Sequence, residues 1–161
     1  MQIWMSSELF RQAWGNFATG VCLVNTLEEN GEIHGMTANG VASISLDPML
    51  VMVSVAHKAN TYPIMKKTQR YVINILSENQ KEIAMEYAKK IKSDEINLND
   101  QYIFTDSGMP FLKNSLASME CNVVNMHEEG DHTIFIGEVK HIVVSDGPPL
   151  LFFKGDWAQF Q

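Results

Sequence analysis

Gly35-Met36-Thr37-Ala38-Asn39-Gly40-Val41-Ala42-Ser43-Ile44-Ser45-Leu46-Asp47-Pro48 sets small and hydroxyl residues between two apolar runs, and it decides how the chain is read on either side. Upstream, Val21 to Asn25 is nearly continuously apolar, and Glu29-Asn30-Gly31-Glu32 carries an Asn-Gly turn signal before Ile33 to Ala38. That pattern predicts a β-hairpin. Within the quoted stretch, Val41 to Leu46 alternates apolar and hydroxyl residues and is broken by Asp47-Pro48. The run Met49 to Ala56, rich in β-branched residues, predicts a further strand. Four strands in about 35 residues, joined by tight turns, leave room only for antiparallel pairing.

Beyond this region the pattern changes. Ser6-Ser7-Glu8 precedes Leu9, Phe10, Ala13, Trp14 and Phe17 at helical spacing, with Gly15 and Gly20 near the end. Asn60-Thr61-Tyr62-Pro63 places a cap and a first-turn proline ahead of a short helix reaching about Thr68. Tyr71 to Leu76 reads as a strand. Ser77-Glu78-Asn79-Gln80 is a capping box before Ile83, Ala84, Tyr87 and Ala88 on one helical face. Lys89 to Asp100 is charged and weakly patterned, which fits a surface excursion or a mobile cover. Strands are predicted again over Ser118 to His127, Thr133 to Val144 and Leu150 to Phe153, separated by turns at Glu128-Glu129-Gly130-Asp131 and Asp146-Gly147-Pro148-Pro149. The expected fold is mostly β, a closed or nearly closed antiparallel barrel with short helices at its ends, built as a single domain over residues 1–161.

Composition excludes several functions. The 161 residues are 45% hydrophobic and 19% charged, enough for one sizeable core. Twelve Lys and Arg against 19 Asp and Glu give a net charge of −7, so nucleic acid and anionic membranes are not expected partners. Neither a secretory signal nor an apolar run of about 18 residues occurs, and Cys22 and Cys121 stand far apart in apolar runs. Buried free thiols and a cytoplasmic location follow as expectations, and the cysteines offer no metal-ligand spacing.

Two polar clusters can carry chemistry. In the first, Thr37, Asn39, Ser43 and Ser45 can present hydrogen-bonding groups to one ligand, and Gly40 permits close backbone approach. In the second, His57-Lys58-Ala59-Asn60-Thr61 sets two cations and two polar side chains at a predicted helix N-terminus, where backbone N–H groups favour phosphate. A polar turn with an exposed strand face, and a solvated loop with an ordinary N-cap, account for the same residues. His132, in Gly130-Asp131-His132-Thr133, adds a turn histidine. No G-x-S-x-G or helical H-E-x-x-H motif is present, so hydrolysis has no positive support.

Taken in order, five stretches resemble the flavin reductase family of FMN-binding split barrels. They are Phe17-Ala18-Thr19-Gly20-Val21; Gly35-Met36-Thr37-Ala38-Asn39; Ser43-Ile44-Ser45-Leu46-Asp47-Pro48; Gly130-Asp131-His132 with Ile136-Gly137-Glu138-Val139; and Pro149-Leu150-Leu151-Phe152-Phe153-Lys154-Gly155. The resemblance implies a six-stranded antiparallel Greek-key barrel, homodimeric, with the flavin in a groove near the subunit interface. It implies FMN or FAD along Met36, Thr37, Ala38 and Asn39, with Ser43, Ser45, His57, Lys58, Asn60 and Thr61 around the polar edge and ribityl phosphate. It implies His132 beside the nicotinamide of NADH or NADPH.

The reaction implied is hydride transfer from nicotinamide C4 to flavin N5, which needs stacking and orientation more than a protein acid or base. A monooxygenase or a redox protein is the implied acceptor. A flavoredoxin-like or rubredoxin-reductase-like electron-transfer protein is a second reading, and a pyridoxamine-phosphate-oxidase-like flavin barrel a third. The chain departs from the resemblance at Gly40-Val41, where a Ser-aromatic pair is common, and at Phe153-Lys154-Gly155-Asp156-Trp157, where Arg-rich versions are usual.

Overall fold

The computed structural model describes residues 5–89 and 99–159. The elements begin with helix α1 (Ser7–Gly15), whose N-cap Ser6 accepts a hydrogen bond from the Leu9 amide at 3.1 Å, as the hydroxyl-rich start predicts. Strands β1 (Thr19–Gly20), β2 (Cys22–Leu27), β3 (Ile33–Ala38), β4 (Val41–Leu46) and β5 (Met49–Ala56) follow, then α2 (Thr61–Thr68), β6 (Arg70–Ile75) and α3 (Lys81–Ala88). The Ser77–Gln80 capping box forms as expected, around a single 3-10 turn that leads into α3. The chain continues through β7 (Tyr102–Phe104), β8 (Pro110–Leu112), β9 (Ala117–Glu129), β10 (His132–Val144), β11 (Leu151–Phe153) and β12 (Asp156–Ala158). Most of the charged Lys89 to Asp100 excursion lies outside the described residues.

The main sheet has the order β3-β2-β6-β9-β10-β5-β4 and every neighbouring pair is antiparallel. It thus has seven strands where six were expected, and no β3–β4 ladder closes it among the described residues. Its edges are nevertheless held together by the chain. A flat seven-stranded sheet is roughly 29 Å across its six strand spacings. Ala38 at the end of β3 and Val41 at the start of β4 are three Cα steps apart, at most about 11 Å. The sheet therefore rolls until its two edges meet at Asn39-Gly40.

Rolling explains the core. Val51, Val53 and Val55 of β5, Cys22 and Val24 of β2, Tyr71 and Ile73 of β6, Cys121 of β9 and Phe135 and Val139 of β10 form one buried cluster with Met65 of α2. These are the alternate residues of five strands, all turned to the inside of one curved surface. On the other face, Leu23, Leu76, Ala84, Tyr87, Tyr102 and Leu112 form a second cluster that seats α3 and the β7–β8 hairpin. The hairpin is fixed by a buried polar chain that sequence periodicity does not reveal. Asn74 Nδ2 donates to Asn25 Oδ1 at 2.5 Å, Asn74 Oδ1 accepts from the Leu112 amide at 2.9 Å, and Asn25 Nδ2 donates to the Pro110 carbonyl at 2.9 Å. The short strands β1, β11 and β12 form a separate three-stranded sheet that carries the C-terminal aromatics.

Both cysteines are free and buried, as expected, and burial pushes both thiols up to about 12, which leaves them protonated and inert at neutral pH.

Gly137 of β10 is obligatory for packing, because a Cβ there would fall on the Tyr71 hydroxyl and lie 2.8 Å from Cys121 Cβ. Gly137→Ala is expected to cost about 1–3 kcal/mol through overpacking. Tyr71→Phe, by removing the hydroxyl, should recover part of that loss in a thermal-unfolding double-mutant cycle. Additive losses would show that the clash is relieved elsewhere.

Candidate active site

A cleft of about 810 Å³ opens over β3. A volume of this size suits a nucleotide-sized ligand. One wall is β3 itself from Gly35 to Ala38, followed by Asn39 and Gly40, and Ser54 and Ala56 of β5 continue it. Lys58, Ala59 and Asn60 in the β5–α2 loop, with Thr61 and Ile64 of α2, form the second wall. Tyr87 and Ala88 at the end of α3, with Lys89 after them, form the third.

Packing sets this arrangement. A Cβ on Gly35 would come 2.8 Å from the Tyr87 ring, so only glycine lets α3 lie this close to β3. The Tyr87 and Tyr102 hydroxyls are 2.7 Å apart in the interior, which fixes the ring from behind. Thr37 Oγ1 donates to the Ala84 carbonyl at 2.5 Å, so this hydroxyl fastens α3 and has only its lone pairs left for a ligand. Gly40 differs from Gly35: a Cβ there would be 3.4 Å from Ser54 Cβ, so no backbone constraint demands glycine. The missing side chain enlarges the cleft beside Asn39.

The cleft brings together Met36, Thr37, Ala38, Asn39, Lys58, Asn60, Thr61 and His132 from distant parts of the sequence. Ser43, Ser45 and His57 do not line it. The polar run that reads as one segment is cut at Asn39-Gly40, where the chain crosses from one sheet edge to the other. Ser43 and Ser45 therefore lie on β4, past the cleft. His57 turns the other way from Lys58: its Nε2 lies 3.0 Å from Thr133 Oγ1, and its ring centroid is 4.8 Å from that of Tyr62.

Sequence reasoning passed over Ser54, Tyr87, Glu32 and His34, which also line the cleft. Ser54 carried a signal, as the one polar residue in Met49 to Ala56. Tyr87 read as an ordinary apolar helix position.

The donor set fits a phosphate-bearing ligand. First-turn N–H groups of a helix have no acceptor within the helix. In α2 the Tyr62 amide is already bonded to the Ala59 carbonyl and Pro63 has none, so the Thr61 amide is the donor this turn has to offer. Asn60, expected as a side-chain cap, makes no side-chain cap bond. Lys58 adds an exposed positive charge, so a phosphate here would be held by one amide and one ammonium.

His132 reaches the same cleft from the β9–β10 turn, beside the His57 amide, which donates to the Asp131 carbonyl at 2.9 Å. Its Nδ1 lies 2.7 Å from Asp131 Oδ1. An ionised carboxylate only accepts, so Nδ1 carries the proton of this bond. The His132 hydrogen bond, helped by the charge of the same ring, holds the Asp131 carboxyl below the usual carboxylate range.

The flavin reductase like domain family matches residues 14–161. An NADH-dependent flavin reductase of Rhodococcus sp is 35% identical over 153 residues, covering 94% of this chain and 85% of the relative. The solved structure of the flavin reductase PheA2 in its native state superposes with a TM-score of 0.89 at 43% identity, covering 98% of this chain and 99% of that one. The styrene monooxygenase flavin reductase from Pseudomonas putida S12 superposes with a TM-score of 0.86 at 33% identity, covering 94% of this chain and 97% of that one. The fold and site define a flavin oxidoreductase, and the chain belongs to the flavin reductase family. Among the described residues no helix is long and apolar enough to cross a membrane.

The Asp131–His132 contact is testable apart from activity. In carbon-detected NMR, the Asp131 side chain should titrate below the ordinary carboxylate range, and His132→Ala should raise its midpoint. An unmoved midpoint would place the cause elsewhere.

Proposed function

We propose that this flavin reductase oxidises NADH or NADPH and reduces FMN or FAD held along β3, delivering the reduced flavin to a monooxygenase. The observation that carries this reading is the single cleft in which β3, the α2 N-terminus and His132 converge. Bound flavin supplies a hydride acceptor, so the protein needs to provide no nucleophile and no strong base.

The chain's own groups orient and shield. Backbone groups from Met36 to Asn39 run along the polar edge of the ring system, with the Asn39 side chain beside them. Lys58 and the Thr61 amide hold the phosphate, with Asn60 next to them. Met36, Ala38, Ile64 and the Tyr87 ring supply apolar walls that exclude water around the reacting atoms. His132, oriented by Asp131, stands at the open side and positions the nicotinamide. NADH as donor is supported by the likeness to the NADH-dependent relative, and a monooxygenase partner by the likeness to the styrene monooxygenase reductase.

In the same reading the rolled sheet is a split barrel, and the molecule is a homodimer in the cytoplasm. Support for the dimer comes from α1, whose residues are all outside the core, and the turn that follows it: Phe10 is 70%, Trp14 63% and Phe17 62% exposed. That much exposed aromatic surface on one short segment supports an interface there. A groove of about 280 Å³ formed by these rings with Phe152 shares Asn39 with the flavin cleft, so the interface borders the site. Light scattering should give twice the chain mass, and Phe10→Glu with Trp14→Glu should halve it.

Anaerobic mixing of the flavin-loaded protein with NADH should bleach the visible flavin band within a turnover. His132→Ala should slow this reduction at least tenfold while changing flavin affinity far less. Equal loss of both would falsify the positioning role, and rapid reduction by a redox protein with indifference to both nicotinamides would select the electron-transfer reading instead.

A further inference from the structure

We infer that the buried hydroxyl of Thr133, acting through the His57 ring, fixes the phosphate loop at its distance from His132, and that these two positioning residues make the enzyme favour a flavin that carries a phosphate. This deepens the proposed function and rests on Lys58 and the Thr61 amide holding that phosphate while His132 positions the nicotinamide.

Each of these two cleft residues has a sequence neighbour that turns away from the cleft. His132 and Thr133 are consecutive on β10, opposite Ala56 and Val55 of β5. Strand alternation sends their side chains to opposite faces. His132 lines the cleft, while Thr133, 2% exposed, shares the inner face of β10 with Phe135 and Val139. Likewise Lys58 lines the cleft and His57 does not. Behind the cleft the two neighbours meet, with His57 Nε2 3.0 Å from Thr133 Oγ1. Thr133 donates its single hydroxyl proton to Tyr62 Oη at 3.3 Å, so the His57 ring is the donor in the shorter contact. The same ring packs on Tyr62, centroid to centroid 4.8 Å, and Tyr62 meets Phe135 edge-on at 6.1 Å. Helix α2, the loop before it and β10 are thus joined at one point.

Of the two sides, the loop is the one this contact restrains. His132 is paired on both flanks, with Ala56 of β5 and Glu129 of β9. The loop leaves β5 after Ala56, and the His57 amide, donating to the Asp131 carbonyl at 2.9 Å, carries the backbone pairing one step further. The Ala59 amide then donates to the Ala56 carbonyl and the Tyr62 amide to the Ala59 carbonyl, bonds that shape the loop without tying it to β10. Lys66 of α2 reaches Glu128 Oε1 at 3.2 Å, but both side chains are exposed, so the pair contributes little. The His57–Thr133 bond is therefore the side-chain tie that sits next to Lys58. Without it the ammonium and the Thr61 amide shift relative to His132, and a phosphate anchored to them draws the flavin ring out of line with the nicotinamide. A flavin lacking the phosphate takes no anchor from the loop and does not register the shift.

The test compares FMN with riboflavin, which lacks the phosphate. Anaerobic single-turnover reduction by the faster of the two nicotinamides is followed with the protein saturated in turn with each flavin. The wild type should reduce FMN faster than riboflavin. Thr133→Val keeps the side-chain shape and removes the hydroxyl, and His57→Ala removes the other partner. Each should narrow the FMN-to-riboflavin rate ratio about fivefold, the worth of one neutral hydrogen bond, with the riboflavin rate held within about twofold. The double variant should narrow it no further, and Thr133→Ser, which keeps the hydroxyl, should retain the wild-type ratio. His57 is exposed, so His57→Ala decides the matter alone if Thr133→Val does not fold. An unchanged ratio in His57→Ala or in folded Thr133→Val, a loss in Thr133→Ser equal to that in Thr133→Val, or a riboflavin rate that falls as far as the FMN rate overturns the inference while flavin reduction stands. A wild type indifferent to the phosphate does the same. A wild type that reduces neither flavin with either nicotinamide removes the proposed function itself, an outcome distinct from all of these.

Discussion

Two residues, Asn39 and Gly40, join the opposite edges of a seven-stranded antiparallel sheet. Chain connectivity leaves such a sheet no flat form, and the roll it imposes turns alternate residues of five strands onto one core. The inside face fills with Val, Ile, Cys and Phe, and the cost of leaving the β3 and β4 edges unpaired falls where the cleft and the exposed β4 strand lie. The same link also cuts the polar run in two. Asn39 and Gly40 stay in the cleft, while Ser43 and Ser45 are carried past it.

What the roll leaves open, the helices shape. Gly35 admits the Tyr87 ring, Thr37 fastens the Ala84 carbonyl, and the paired Tyr87 and Tyr102 hydroxyls brace α3 from the interior. Two of these contacts use β3 residues for support, Gly35 and Thr37, which leaves the β3 backbone and the side chains of Met36, Ala38 and Asn39 for a ligand. The α2 N-terminus contributes little by itself, because Tyr62 and Pro63 remove two of its first donors. Lys58 is what makes that corner attractive to phosphate.

The cleft is thus graded along its length. Apolar and weakly polar walls occupy the middle, Lys58 and His132 one end, and Glu32, His34 and Lys89 the other. The overall charge of −7 says little about this.

Residue patterns alone specified a great deal. The Asn-Gly turn, the period-two runs and the Ser77–Gln80 capping box are local signals, and local backbone preferences obey them in the folded chain, so the hairpins, α1, α2 and α3 form where the sequence puts them. The five collinear stretches were enough to point to the family. Tertiary structure decided the rest. It set the strand number, because β7 and β8 are three residues each and are held by Asn25 and Asn74 from elsewhere in the chain. It also decided which polar residues meet. His57 and Lys58 are adjacent in sequence and face different surroundings, whereas Lys58 and His132 are 74 residues apart and share one cleft. Sequence order fixes neighbours along the chain; facing and distance across a rolled sheet depend on where every other strand lies.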